Sequence, residues 1–226
     1  MSLRPYSVPA LAALLLLVGC GAGRYFVQVN GYLDPGAAAA LPPAATIAVV
    51  ENKEARNPLL EKEIAAKINR LLTARGYRTV PYEQADYFLF FLYGAGPEAA
   101  AAAGGPPVSF GLGVGGGAWR GGGGGYIGLG APWWPYPYPY AYPAEPIYGR
   151  WLTLKLVEAK PYRQSGQAQP VWVGESRSTG TSSDLREVSN ALLLAVFQQF
   201  GKNTGKAVEV EVQTQDPRYR ELQSPR

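Results

Sequence analysis

Asn57-Pro58-Leu59-Leu60-Glu61-Lys62-Glu63-Ile64-Ala65-Ala66-Lys67-Ile68-Asn69-Arg70-Leu71-Leu72-Thr73-Ala74-Arg75-Gly76-Tyr77 reads as one helix with both ends marked. Asn57 is an N-cap residue, and Pro58 suits the first helical position, where a missing N–H costs nothing. Leu60, Ile64, Ile68, Leu71 and Leu72 form one apolar stripe, with Glu61, Lys62, Lys67 and Arg70 expected to face water. Glu63 and Lys67 are a favourable i,i+4 pair, and Gly76 supplies the left-handed stop. Such a stripe needs a partner layer, and the flanks supply strands. Thr46-Ile47-Ala48-Val49-Val50 precedes the helix as a buried strand. Tyr77 to Val80 follow it as a short one. Tyr87 to Tyr93 are apolar on both faces, as an interior strand would be.

The pattern continues outward in both directions. Tyr25, Val27, Val29 and Leu33 alternate with Phe26, Gln28, Asn30 and Tyr32, the period of a half-buried strand, before an Ala/Pro-rich loop from Asp34 to Pro43. Leu152, Leu154 and Leu156 mark another strand. A loop from Lys160 to Gln169 then leads to Val171-Trp172-Val173 and a polar continuation through Thr181, its hairpin partner. Asp184, with Glu187 three residues on, opens a second helix whose core face is Leu185, Val188, Leu192, Val196 and Phe200, ending at Gly201 or Gly205. Val208, Val210 and Val212 against Glu209 and Glu211 give a closing strand with one wet face. Residues 216–226 are expected to be a flexible tail. These elements imply an α+β fold: a two-layer sandwich whose mainly antiparallel sheet of about 6–7 strands carries two helices on one face. The other face would stay partly open. One domain spans 25–215, interrupted by an insert at 95–147.

That insert is the oddest stretch. Arg120 is the only charge from Ala99 to Ala144, Gly121 to Gly125 are uninterrupted glycine, and aromatics alternate with prolines from Pro132 to Tyr140. Glycine loses the most entropy on ordering and proline refuses ladders and helices, so no fixed core is expected. A disordered surface loop is one use. Contact of Trp133, Trp134, Tyr136, Tyr138 and Tyr140 with a lipid interface is a second, because amphipathic aromatics are favoured there. The third is recognition by a partner that reads polyproline II. Gly111 to Gly116 match the dinucleotide pattern GxGxxG, but no strand-turn-helix surrounds them and no acidic residue follows at the required distance.

Composition excludes much chemistry. With no histidine, neither Ser-His-Asp nor Cys-His catalysis can be built, and the commonest zinc ligand is missing. No catalytic residue, metal or cofactor is expected. The hairpin sets Glu158 and Glu175, near Lys160 and Arg177, facing each other as a candidate acid/base pair; solvated cross-strand charges are the plainer reading. Trp151 and Trp172 on adjacent strands offer a stacking surface or simply packing. The net charge of +4 comes from Lys and Arg interleaved with Glu. No basic stripe forms, so no nucleic-acid partner is expected.

The amino terminus carries the clearest address. Met1 to Gly19 have a sparse positive start at Arg4 and an apolar core, Ala10 to Val18, too short to span a bilayer. Leu17-Val18-Gly19-Cys20 resembles the lipobox of bacterial lipoproteins. The resemblance implies cleavage of residues 1–19, a diacylglycerol on the Cys20 thiol and an acyl chain on its new amino group. Cys20 is the only cysteine, which suits a thiol consumed by lipid. Residues 20–24 form a short tether; four extended residues reach about 14 Å. In similar sorting signals an Asp after the cysteine retains the protein at the inner membrane. Gly21 therefore implies the periplasmic leaflet of the outer membrane, or the cell membrane in a one-membrane host.

Arg75-Gly76-Tyr77, Ala85-Asp86 before the aromatic strand, the Gly/Tyr/Pro-rich gap and Trp172-Val173-Gly174 together resemble bacterial lipoproteins of domain-of-unknown-function family 4136, over roughly Tyr25 to Val212. The resemblance implies an envelope location and a small α+β domain, and it brings no catalytic residues. The expected role is a lipid-anchored envelope protein whose domain takes a protein or cell-wall partner near the membrane. An accessory role in an envelope transport or wall-building machine and a hydrolase using Glu158 and Glu175 are the alternatives.

Overall fold

A computed structural model describes residues 23–37, 45–97 and 146–223. Its elements run β1 (Arg24–Leu33), β2 (Thr46–Val50), α1 (Pro58–Ala74), β3 (Arg78–Thr79), β4 (Tyr87–Pro97), β5 (Tyr148–Glu158), α2 (Ala159–Ser165), β6 (Pro170–Gly180), α3 (Leu185–Gln198), β7 (Val208–Gln213) and α4 (Pro217–Gln223). The seven strands form one sheet in the order β3-β2-β4-β5-β6-β1-β7. Four neighbouring pairs are antiparallel, and of these only β5–β6 is joined by a short connection. β2 runs parallel to both β3 and β4, because α1 carries the chain back across the sheet between them.

Helix α1 forms where its end signals lie. Asn57 accepts a hydrogen bond from the Leu60 N–H at 3.1 Å, and Pro58 occupies the first turn. At the other end, the N–H of Gly76 bonds the Thr73 carbonyl and that of Tyr77 bonds the Leu72 carbonyl. This is a Schellman closure, which needs the left-handed φ of 86° that Gly76 adopts. Leu60, Ile64, Ile68 and Leu72 are buried in one core with Leu89, Phe91, Leu152, Leu154, Leu156 and most of α3. Helix α3 starts at Asp184, whose carboxylate accepts from the Arg186 N–H at 2.9 Å. Its residues from Val188 to Phe197 are all buried, a wider face than the stripe alone predicts. The sheet lies beneath it while α1 and α4 pack alongside.

Five expectations are corrected. Lys67 and Glu61 do not face water. Lys67 is 1% exposed, held by Glu63 at 2.9 Å and donating to the Arg186 carbonyl and the Ser189 hydroxyl. Glu61 accepts from the Asn52 N–H at 2.8 Å and so caps the loop before α1. The stretch after β5 is no simple loop: Ala159 to Ser165 form α2, closed by Gly166 at φ 68°. Tyr162 of α2 and Tyr82 pack with Phe88 and Phe90 as a small second core on the opposite side of the sheet, so that side is not wholly bare. The two-helices-on-one-face picture becomes α1, α3 and α4 on one face and α2 on the other. Residues 217–223 are not a flexible tail either. Tyr219 and Leu222 of α4 are buried in the main core, and Arg70 of α1 donates to the Glu221 carbonyl at 2.9 Å. Finally, β4 runs on to Pro97, paired with Tyr148, so the segment between β4 and β5 begins later than Ala95.

Candidate functional site

Strand alternation sorts β-sheet side chains onto two faces. On the face away from α1 and α3, the pairing builds three rows across four strands. Phe90, Lys155, Val173 and Tyr32 make the first; Leu92, Thr153, Glu175 and Asn30 the second; Gly94, Trp151, Arg177 and Gln28 the third. Glu175 thus sits between Thr153 and Asn30 in its own row, with Lys155, Val173 and Tyr32 in the row on one side and Trp151 and Arg177 in the row on the other. Burial alone pushes its carboxyl above the usual range. Tyr32, 52% exposed, is raised by its own burial and then by the Glu175 charge. Gly94 has a steric reason: a Cβ there would stand 2.7 Å from the Trp151 ring. The face is a mixed aromatic and charged surface.

It does not bring two carboxylates together. Glu158 pairs with Tyr87 on β4, whereas Glu175 pairs with Thr153 on β5 and Asn30 on β1. The two acids are separated by five residues along β5, about 16 Å at the strand rise, and alternation puts them on opposite faces. The hairpin closes through α2 rather than a tight turn, which slides Glu158 beyond the end of β6. Lys160 follows Glu158 into α2, while Arg177 stays with Trp151. An acid/base dyad of Glu158 and Glu175 is therefore not assembled. The tryptophans separate likewise. Trp151 lies on the open face, and Trp172 is fully buried, its indole N–H donating to the Lys202 carbonyl at 3.1 Å.

A shallow recess of about 310 Å³ lies near Glu158, lined also by Asp86, Tyr87, Lys160 and Pro161. Asp86 is committed there: its carboxylate accepts from both the hydroxyl and the N–H of Thr46. The hydroxyl bond, then the backbone one, hold its pKa below the usual range. This side chain pins β2 to the start of β4.

One polar group escaped the sequence reading. Arg150 is 4% exposed, donates to the Thr179 and Ser182 carbonyls, and lies 5.8 Å over the Tyr25 ring. Tyr25 donates to Glu187 at 2.9 Å and stacks on Tyr219. Its signal was parity: Arg150 shares the phase of Leu152, Leu154 and Leu156, the inward side. Glu187 serves Tyr25 in this arrangement.

Leu17, Val18, Gly19, Cys20 and Gly21, and the aromatics Trp133, Trp134, Tyr136, Tyr138 and Tyr140, lie outside the described residues. Among the described residues, no helix is long and apolar enough to cross a membrane. The three short motifs are architectural. Gly76 closes α1, Asp86 clamps β2, and Gly174 leaves room for Trp172, whose ring would meet a Cβ at 2.1 Å.

The family model described as Domain of unknown function (DUF4136) matches residues 34–200. No curated protein matches. Among solved structures, a PelC dodecamer from Paraburkholderia phytofirmans is similar at 17% identity and a TM-score of 0.40, over 79% of this chain and 99% of that one. A PDZ domain protein from Parabacteroides distasonis is similar at 15% identity and a TM-score of 0.47, over 85% of this chain and 39% of that one.

Proposed function

This chain belongs to the DUF4136 family, and on that premise we propose that it is a lipid-anchored envelope protein whose domain holds a partner beside the membrane without catalysing a reaction. The observation that carries this reading is Leu17-Val18-Gly19-Cys20. It holds the only cysteine of the chain, behind a short apolar run, and β1 starts only four residues later. In this reading Cys20 bears the diacylglycerol thioether and the N-acyl chain. Burying each CH2 of those chains contributes about 0.8 kcal/mol, which makes release negligible. Gly21 directs the protein to the periplasmic leaflet of the outer membrane, or to the cell membrane where there is only one. Trp133, Trp134, Tyr136, Tyr138 and Tyr140 belong to the same reading as aromatics for the lipid interface.

The partner is an envelope protein or wall polymer, and the open face around Glu175, Tyr32 and Trp151 is where it would rest. A carboxylate between flanking cations and aromatics gives such a surface orientation as well as area. The separation of Glu158 from Glu175 favours binding over hydrolysis. Radiolabelled palmitate incorporation into the wild-type chain and into Cys20→Ala, followed by membrane fractionation, tests the anchor. Label and membrane association that both vanish with the substitution are expected. Label that persists in Cys20→Ala would refute the reading.

A further inference from the structure

One end of the sheet collects the chain's exits. Pro97 pairs with Tyr148 and Tyr148 with Gly180, while Arg24 pairs with Gln213. The β1–β6 register, extended from Gln28 and Arg177, sets Tyr25 opposite Gly180. Side chains lock this corner. The Arg150 guanidinium covers Tyr25, and Tyr219 of α4 stacks on the same ring. The Thr214 N–H donates to the Gly23 carbonyl at 2.9 Å, which fixes the first described residue at this end. β4 therefore ends, and β5 begins, at the end of the sheet where β1 starts.

We propose that this end of the sheet, with Ile147 and Arg24, is the surface that faces the lipid bilayer, so that the strands stand away from the membrane. The inference rests on the anchor reading and deepens it by giving the domain an orientation. Three residue steps separate Cys20 from Gly23, a reach of about 11 Å at most. Strand β1 is 10 residues long, about 33 Å at the usual rise. A lipidated Cys20 cannot approach the bilayer while the opposite end, with Leu33 and the loop around Lys206, touches it. Lying flat on the open face is disfavoured by chemistry. That face carries Glu175, Asn30 and Gln28, which would lose water against lipid without partners.

The end itself presents what an interface accepts. Ile147 is 54% exposed just before β5, and Phe26, two strands away on β1, is 56% exposed. The Arg24 and Arg218 guanidinium groups reach solvent while paired with Glu211 and Asp216. With those charges balanced, contact is set by the tether and the apolar side chains. It should persist in neutral lipid.

The test uses the full lipidated chain in vesicles of phosphatidylethanolamine and phosphatidylglycerol, and again in phosphatidylcholine. Because lipid consumes the Cys20 thiol, Ile147→Cys, Tyr32→Cys and Lys206→Cys each provide one reactive sulfur for an environment-sensitive fluorophore. Vesicle flotation reports the anchor, and quenching by headgroup spin-labelled lipid reports the distance of each site. Quenching several-fold stronger at Ile147→Cys than at the other two, in both lipid mixtures, is expected. Flotation with equal quenching at Ile147→Cys and Tyr32→Cys means a flat domain and overturns the orientation alone. Flotation with no quenching at any site means a domain held off the surface and does the same. Failure to float refutes the anchor itself.

Discussion

Burial alone drives the Glu175 carboxyl up, whereas the Thr46 hydroxyl and amide hold Asp86 down, so the two acids should oppose each other as pH falls. A carboxyl with a raised folded pKa binds more protons folded than unfolded. Its charge therefore costs stability as pH rises from the unfolded value, about 4.3 for Glu, through the folded one. Asp86 contributes stability above its unfolded value near 3.9, and that contribution is lost as pH falls through its depressed folded pKa. Glu175→Gln should then raise the melting temperature at pH 7 and leave it unchanged at pH 4. Asp86→Asn should lower it at pH 7, by a margin that narrows in acid. Both effects are small, since both groups are partly solvated. Thermal melts of the two variants across this range check the signs, and equal shifts at both pH values would contradict them. Residue-level legibility was uneven for the same physical reason. Asn57, Gly76 and Asp184 act on backbone within a few positions, so the sequence names their roles. Lys67 is buried by α3, which is distant in sequence, and helical spacing alone put it in water.

Elements whose stability is local were readable, and those made by tertiary contact were not. α1 carries its own cap, stripe and stop. α2 and α4 span seven residues each, too short to persist alone, and they exist because Tyr162 packs on Phe88 and Tyr219 fits under α3. Tyr219 is fully buried, stacks on Tyr25 and donates to the Glu187 carbonyl at 3.3 Å. Tyr219→Ala should cost about 3–5 kcal/mol, the range for emptying a large aromatic site. Urea unfolding monitored by circular dichroism measures it. A loss under about 1 kcal/mol would mean that α4 is dispensable, as a flexible tail would be. The candidate dyad failed at this scale too. A hairpin could be read from Leu152 to Val173, but its register depends on α2 closing it, and register decides whether Glu158 meets Glu175.

For the molecule as a whole, the interval between Pro97 and Pro146 sits on a hairpin that is already closed, since Pro97 and Tyr148 are cross-strand partners. Replacing residues 98–145 with a short turn should therefore preserve the fold. Shortening the loop stabilises it by about 2 kcal/mol in the chain-entropy estimate. A melt that stays cooperative at equal or higher temperature is the expected result, and loss of cooperative unfolding would show that the interval builds the core. The layering of helices on a seven-stranded sheet was legible from periodicity. The insertion of β1 between β6 and β7 was not, because pairing between distant strands leaves no local mark. In the proposed reading, that insertion is what would turn a lipidated Cys20 into an attachment at one end of the sheet. Intact mass spectrometry of the mature chain extracted from membranes tests this most directly. A species beginning at Cys20, with the added mass of a diacylglycerol and one further acyl chain, is the predicted result. A mature chain with an unmodified Cys20, or one that retains Met1, would contradict the account.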